Sequence, residues 1–245
     1  MLPHSPGAMA VRDLFDSAPE VKPRLWPLPI SEFLKLELPP RRNILKPWLP
    51  EKSTTMIYSP RGVGKTHLAL AIGYVIASAS EMLGWQAVEP RRVLYVDGEM
   101  PSEALQARLA AIVAGFDKEP PAPDYFRMLS ADLTEGGLPD LATKNGQREF
   151  DGHIGDAVVL ILDNISTLCR SGKENEAESW VSVQEWALSQ RRTGRSIVFV
   201  HHAGKGGEQR GTSKREDVLD TVLALRRPQD YTANQGARFE LHFEK

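Results

Sequence analysis

Apolar residues fall into two rhythms along this chain. Thr55-Met56-Ile57-Tyr58-Ser59, Val93-Leu94-Tyr95-Val96-Asp97, Ala157–Asn164 and Ser196-Ile197-Val198-Phe199-Val200 are short, nearly continuous apolar runs. Such runs fit parallel strands covered on both faces. Between them, apolar positions recur at helical spacing: Leu68, Ile72, Val75, Ile76 and Ala79, then Leu105, Leu109, Ile112 and Val113 behind Pro101. A third helix, from about Glu174 to Arg192, carries Trp180, Val183, Ala187 and Leu188 inward and is stopped by Gly194. After the linker Pro120-Pro121-Ala122-Pro123 the pattern predicts a strand at Tyr125–Leu129 and a surface loop near Thr134–Asp140. Two later strands, near Val222–Leu225 and Arg238–Phe243, close the chain. Strands alternating with helices predict an α/β fold, a mainly parallel twisted sheet with helices on both faces and its ligands at the carboxyl ends of the strands.

The first fifty residues are different. Ten of the 18 prolines lie there, which denies the region long helices and central strands. The expected organisation is a proline-rich arm over 1–44 and an α/β domain over 45–245. Within the arm Ile30, Phe33 and Leu34 suit one short amphipathic helical turn, and Trp26 and Trp48 need somewhere to pack, on this domain or on a neighbouring subunit.

Composition narrows the class. The 245 residues, 41% hydrophobic and 25% charged, suit one globular α/β domain. No apolar run is long enough to span a bilayer and no leader pattern opens the chain, so the expectation is a soluble, cytoplasmic protein. The lone Cys169 excludes an internal disulfide framework. A formal net charge of −2 rules out a generally basic surface, so any nucleic-acid contact has to be local.

Candidate chemistry begins where the first apolar run stops. Ser59-Pro60-Arg61-Gly62-Val63-Gly64-Lys65-Thr66-His67 joins that strand to the first helix. Gly62 and Gly64 allow backbone N–H groups to approach phosphate oxygens at the positive end of the helix, Lys65 supplies a charge for the β and γ phosphates, and the Thr66 hydroxyl can ligate Mg²⁺. A bound nucleoside triphosphate with Mg²⁺ is the direct expectation, with residues Ser59 to His67 as its cradle. Ser59 stands where the G-x-x-x-x-G-K-[ST] pattern has its first glycine.

The other strand ends carry matching groups. Asp163 can hold Mg²⁺ opposite Thr66; the plain alternative is an acid that caps the next segment. Glu99, two residues past its strand, is placed to orient a water and accept its proton, against a simple helix-start carboxylate, with Asp97 as fallback. Asn164 is a candidate for orienting that water or the metal shell. Of the pair His201-His202 one must face away from the site, and the other can contact the γ phosphate and report its loss to the Gly-rich segment beyond.

Taken together, Ser59–Thr66, Tyr95–Pro101, Leu160–Asn164, Phe199–Lys205 and Arg210-Gly211-Thr212-Ser213 resemble the RecA-like P-loop ATPases, and most of all the RepA-type replicative helicases, relatives of the DnaB-type hexameric helicases. The resemblance covers roughly residues 45–245. It implies that Lys65 and Thr66 bind phosphate and metal, that Glu99 is the catalytic base, that Asp163 is the Walker B acid and that His202 is the sensor. It also implies a homo-oligomeric ring, such as the hexamer of the DnaB-type relatives and with ATP as its fuel, in which the loops Ser166–Glu174 and Ala203–Arg215 hold single-stranded DNA. Arg170, Lys173, Lys205, Arg210, Lys214 and Arg215 are then the candidate DNA contacts. Relatives add basic residues on or after a late strand that reach a neighbour's nucleotide; Arg226, Arg227 and Lys245 are the candidates here. Three readings follow: an ATP-driven motor on single-stranded DNA, a non-translocating ATP switch or loader for a replication or recombination partner, and a P-loop small-molecule kinase.

Overall fold

The computed structural model describes residues 27–171, 177–203 and 218–245, and the chain divides into two compact units, 1–41 and 42–245. In the first, α1 (Ile30–Phe33) is the short turn expected, with Ile30, Phe33, Leu34 and Leu38 all exposed. Trp26 lies outside the described residues.

The second unit runs β1 (Asn43–Lys46), β2 (Leu49–Pro50), β3 (Thr54–Ser59), α2 (Lys65–Ser78), β4 (Glu81–Met82), β5 (Trp85–Ala87), β6 (Val93–Asp97), α3 (Ser102–Val113), β7 (Phe126–Ser130) and α4 (Lys144–Ile154). It continues with β8 (Val159–Asp163), α5 (Ile165–Leu168), α6 (Ala177–Arg192), β9 (Ser196–His202), β10 (Thr221–Arg226) and β11 (Glu240–Phe243). Among the described residues, seven strands form the main sheet in the order β11-β10-β3-β9-β8-β6-β7, parallel throughout except for the antiparallel edge strand β11. Each expected strand is present, with ends shifted by a residue or two.

Burial on both sides explains the continuous apolar runs. Ile57, Tyr95, Ile161, Val198 and Leu223 point to one face, where they meet Leu68, Ile72, Val75 and Ile76 of α2. The alternate residues Met56, Leu94, Leu160, Phe199 and Val222 point to the other and meet Phe150 and Ile154 of α4 and Trp180, Val183 and Trp186 of α6. On α6 it is Trp186, not Leu188, that is deeply buried. The α2 helix is apolar nearly all round because the sheet, α3 and a second layer enclose it.

That second layer is a small antiparallel sheet of order β2-β1-β5-β4 that periodicity does not predict. Leu83 and Gly84, both at positive φ, turn β4 into β5 and bring up Trp85. Trp48 packs edge-on against Trp85 with centroids 5.0 Å apart and against Phe243 at 6.0 Å, which gives this anchor its seat within the α/β unit. Each such pair contributes about 0.5–1.5 kcal/mol beyond the area it buries.

Candidate active site

The centre of the sheet delivers four strand ends to one place. The neighbours β3, β9, β8 and β6 end close together: Ser59 lies beside His202, Asp97 beside Asp163, and Asp163 beside Val200, two residues before the end of β9. A cleft of about 520 Å³ opens above these ends. Its lining includes Arg61, Gly62, Gly64, Lys65, Thr66 and His67 from the loop and Asp97, Glu99, Asp163, Asn164 and His202 from the other strand ends. Ser59 is buried beneath it, and Val63 turns its side chain into the core, so Val63 offers the cleft only its backbone.

The loop between β3 and α2 is built as a cradle. Gly64 has φ 133°, and a methyl group there would come within 2.9 Å of the Phe239 ring. Lys65 is 5% exposed, and its Nζ donates to Ser59 O at 2.9 Å, Ser59 Oγ at 3.2 Å and Pro60 O at 3.0 Å. Ser59, in place of the pattern's first glycine, thus supplies two acceptors to the lysine. Burial lowers the Lys65 ammonium to about 8, although Asp163 and Glu99 pull it upward.

Across the cleft, Asp163 is 4% exposed and held by two hydroxyls, Thr66 from the helix and Tyr95 at 2.7 Å from β6. Burial raises its pKa, and the two hydrogen bonds and Lys65 oppose the rise. Asp97 is buried and accepts from the backbone N–H groups of Glu99, at 3.2 Å, and Met100, at 2.7 Å. Its carboxyl is pushed up to about 6, chiefly by burial, with the charges of Asp163 and Glu99 adding to the effect. Asp97 therefore shapes the turn that carries Glu99.

Glu99 projects into the open cleft. Asn164 Nδ2 donates to Glu99 Oε2, and His202 Nε2 lies 3.3 Å from that oxygen and 3.2 Å from Asn164 Nδ2. Burial pushes Glu99 up, but the bonds to His202 and Asn164 outweigh it and hold the carboxylate below its usual range. It stays ionised, the form that accepts a proton. His201 faces the other way and is fully buried, as strand alternation requires.

Two further groups wall the cleft without any local signal in the sequence. Arg108 reaches it from the second turn of α3, and Ala237 from the segment between β10 and β11. That segment leans on the loop: Arg227 donates to Gly62 O at 2.9 Å and stacks over Tyr231, while Arg226 pairs with Glu244 at 2.7 Å. Both arginines are thus engaged within their own chain, Arg227 at its own phosphate loop. Arg170 donates a side-chain hydrogen bond to Leu138 O, and its backbone N–H bonds Asp140. Lys173, Lys205, Arg210, Lys214 and Arg215 lie outside the described residues.

A magnesium nucleotide fits this donor set. No group of three or more His, Cys, Asp or Glu among the described residues could hold a metal by itself. One hydroxyl and one carboxylate facing a phosphate cradle is the arrangement Mg²⁺ takes when phosphates complete its shell.

Fold and site define a RecA-like α/β P-loop ATPase. The likeness extends to a solved KaiC-like protein of the hyperthermophilic archaeon Pyrococcus horikoshii OT3, with a TM-score of 0.55, 15% identity, and coverage of 83% of this chain and 87% of that one. At that identity the likeness speaks for the fold alone. A family model described as an AAA domain matches residues 18–208, and the chain belongs to that family. No helix among the described residues is long and apolar enough to cross a membrane.

Proposed function

We propose that this protein is an ATP-hydrolysing, Mg²⁺-dependent motor of the RepA helicase type that acts on single-stranded DNA as a homo-oligomeric ring. The observation that carries the hydrolytic part is the meeting of Lys65, Thr66, Asp163, Glu99 and His202 in one cleft. Lys65 and the 62–66 backbone hold the β and γ phosphates, and Thr66 and Asp163 hold the metal. Mg²⁺ supplies charge neutralisation across the phosphate oxygens. Glu99 orients a water toward the γ phosphorus and accepts its proton as the bond to the β–γ bridging oxygen breaks, giving ADP and phosphate. His202, tied to Glu99, sits at the end of β9 where the chain enters the Gly-rich segment, so loss of the γ phosphate has a direct route to that segment.

The DNA part rests on the ordered set of motifs and on the basic residues that follow β8 and β9 in the sequence. One observation favours the alternative, a non-translocating switch or loader: Arg170, a candidate DNA contact, bonds Leu138 O within its own chain. The two separate on ATP turnover measured with and without single-stranded DNA, together with the mass of the assembly in ATP. Stimulation by DNA in a ring supports the motor. Turnover that ignores DNA at every salt concentration removes it, and phosphate on an added metabolite would point to a kinase. Glu99→Gln is expected to keep ATP binding and lower turnover by about 10²–10⁴-fold. Turnover at the parental rate would refute the assignment of the base.

A further inference from the structure

The run Val93-Leu94-Tyr95-Val96-Asp97 would fill its place in the sheet equally well with phenylalanine at 95. A buried phenol needs an acceptor, and the one it finds is not a backbone carbonyl. Tyr95 is fully buried on the α2 face of β6, directly opposite Ile161 of β8, so Asp163 is its diagonal neighbour two residues on. The hydroxyl donates to Asp163 Oδ2 at 2.7 Å.

The ring has little room to move. Phe126 of β7 lies parallel to it, with centroids 6.4 Å apart and an interplanar angle of 29°. Phe126 in turn fits against α2 at Gly73, where a methyl group would come within 2.6 Å of the Phe126 ring and 3.1 Å of Ile161. A close-packed column therefore runs from the helix that begins with Lys65 and Thr66, through two rings, to the acid at the end of β8.

We propose that Tyr95 is a positioning residue of the metal site: it fixes the Asp163 carboxylate from the sheet side while Thr66 meets it from the helix. This rests on the reading that Thr66 and Asp163 hold Mg²⁺. A carboxylate clamped by an outer donor does not have to be ordered when the metal arrives, and loss of such a partner typically costs about 10–100-fold in metal affinity or activity.

The test compares binding of a fluorescent ATP analogue in saturating Mg²⁺ and in EDTA, for the parent protein, Tyr95→Phe and Asp163→Asn. The ratio of the two affinities reads the metal's contribution. For Tyr95→Phe the ratio is expected to fall about tenfold with the EDTA affinity unchanged, and Phe126→Leu, which keeps the hydroxyl but removes its support, should lower it less. A hydroxyl bond that serves only stability would, when removed in Tyr95→Phe, lower the melting temperature and leave the ratio alone. If Asp163→Asn collapses the ratio and Tyr95→Phe keeps it, the positioning role is wrong and the metal reading stands. If Asp163→Asn also keeps it, both fall.

Discussion

Asp97 offers a test in which the sign is set by the surroundings of one carboxyl group. It is 1% exposed, lies beside Asp163 in register and carries the turn of Glu99 on its oxygen. Its pKa of about 6 stands about two units above the usual 3.8. Between those pH values the folded chain keeps a proton that the unfolded chain has released, so this group's contribution to stability is full below pH 4 and is lost as pH rises through 6. Two units correspond to a ceiling of about 3 kcal/mol, and because the carboxylate borders an open cleft that screens it, about 1–2 kcal/mol is the reasonable expectation. An asparagine oxygen can accept the same two backbone bonds without the charge. Asp97→Asn should therefore be more stable than the parent at pH 7.5 by about that amount, a rise of roughly 2–8 °C in Tm for a chain of this size. The advantage should close toward pH 4.5. The assay is urea unfolding of both proteins across this range in EDTA without nucleotide, where shared titrations cancel in the difference. A gap that stays constant with pH, or a variant less stable than the parent at pH 7.5, would refute the reasoning.

Two other outcomes follow from the same cleft. Lys65, lowered to about 8 by burial, is partly neutral in mildly alkaline solution, and phosphate favours its charged form. ATP binding should therefore take up protons near pH 8 and weaken above it, seen as binding enthalpies that depend on the buffer's ionisation heat; no proton uptake would contradict the lowered pKa of Lys65. Asn164→Ala removes a donor that holds Glu99 low, so the acidic limb of the pH profile of turnover should move to higher pH, with turnover reduced about tenfold. An unmoved limb would show that the hydrogen bond does not tune Glu99.

The fold was legible where burial leaves a mark on local sequence. Strands covered on both faces need unbroken apolar runs, so β3, β6, β8 and β9 stand out, and the residues just after such runs are the polar ends that meet at the cleft. What escaped was built from contacts between distant positions. The α4 helix keeps its buried and exposed faces well apart, but Phe150 and Ile154 are the only large apolar residues on its inner face, too few to stand out as a repeating pattern, although Thr143 capping the Gly146 N–H is a start signal that can be read. The small sheet consists of strands of two to four residues, too short for any period to register. Arg108 and Ala237 reach the cleft by the paths of α3 and the 227–239 segment, and nothing next to them in sequence says so. Tyr95 reads as one more apolar strand residue because its hydroxyl's partner is 68 positions away.

The order of the central strands has a consequence for how the protein is made. The nucleotide cleft lies across β3, β9, β8 and β6, adjacent in the sheet, yet the chain must be complete from Ser59 to His202 before their tips can align. Every one of these pairings is parallel and distant in sequence, which makes assembly slow compared with a hairpin protein of equal size. A half-assembled chain has no cleft, so ATP associates only with the finished sheet and pulls the folding equilibrium toward it as ligand concentration rises above Kd. Nucleotide present during synthesis or refolding should thus act as a selective reagent for the correctly threaded chain.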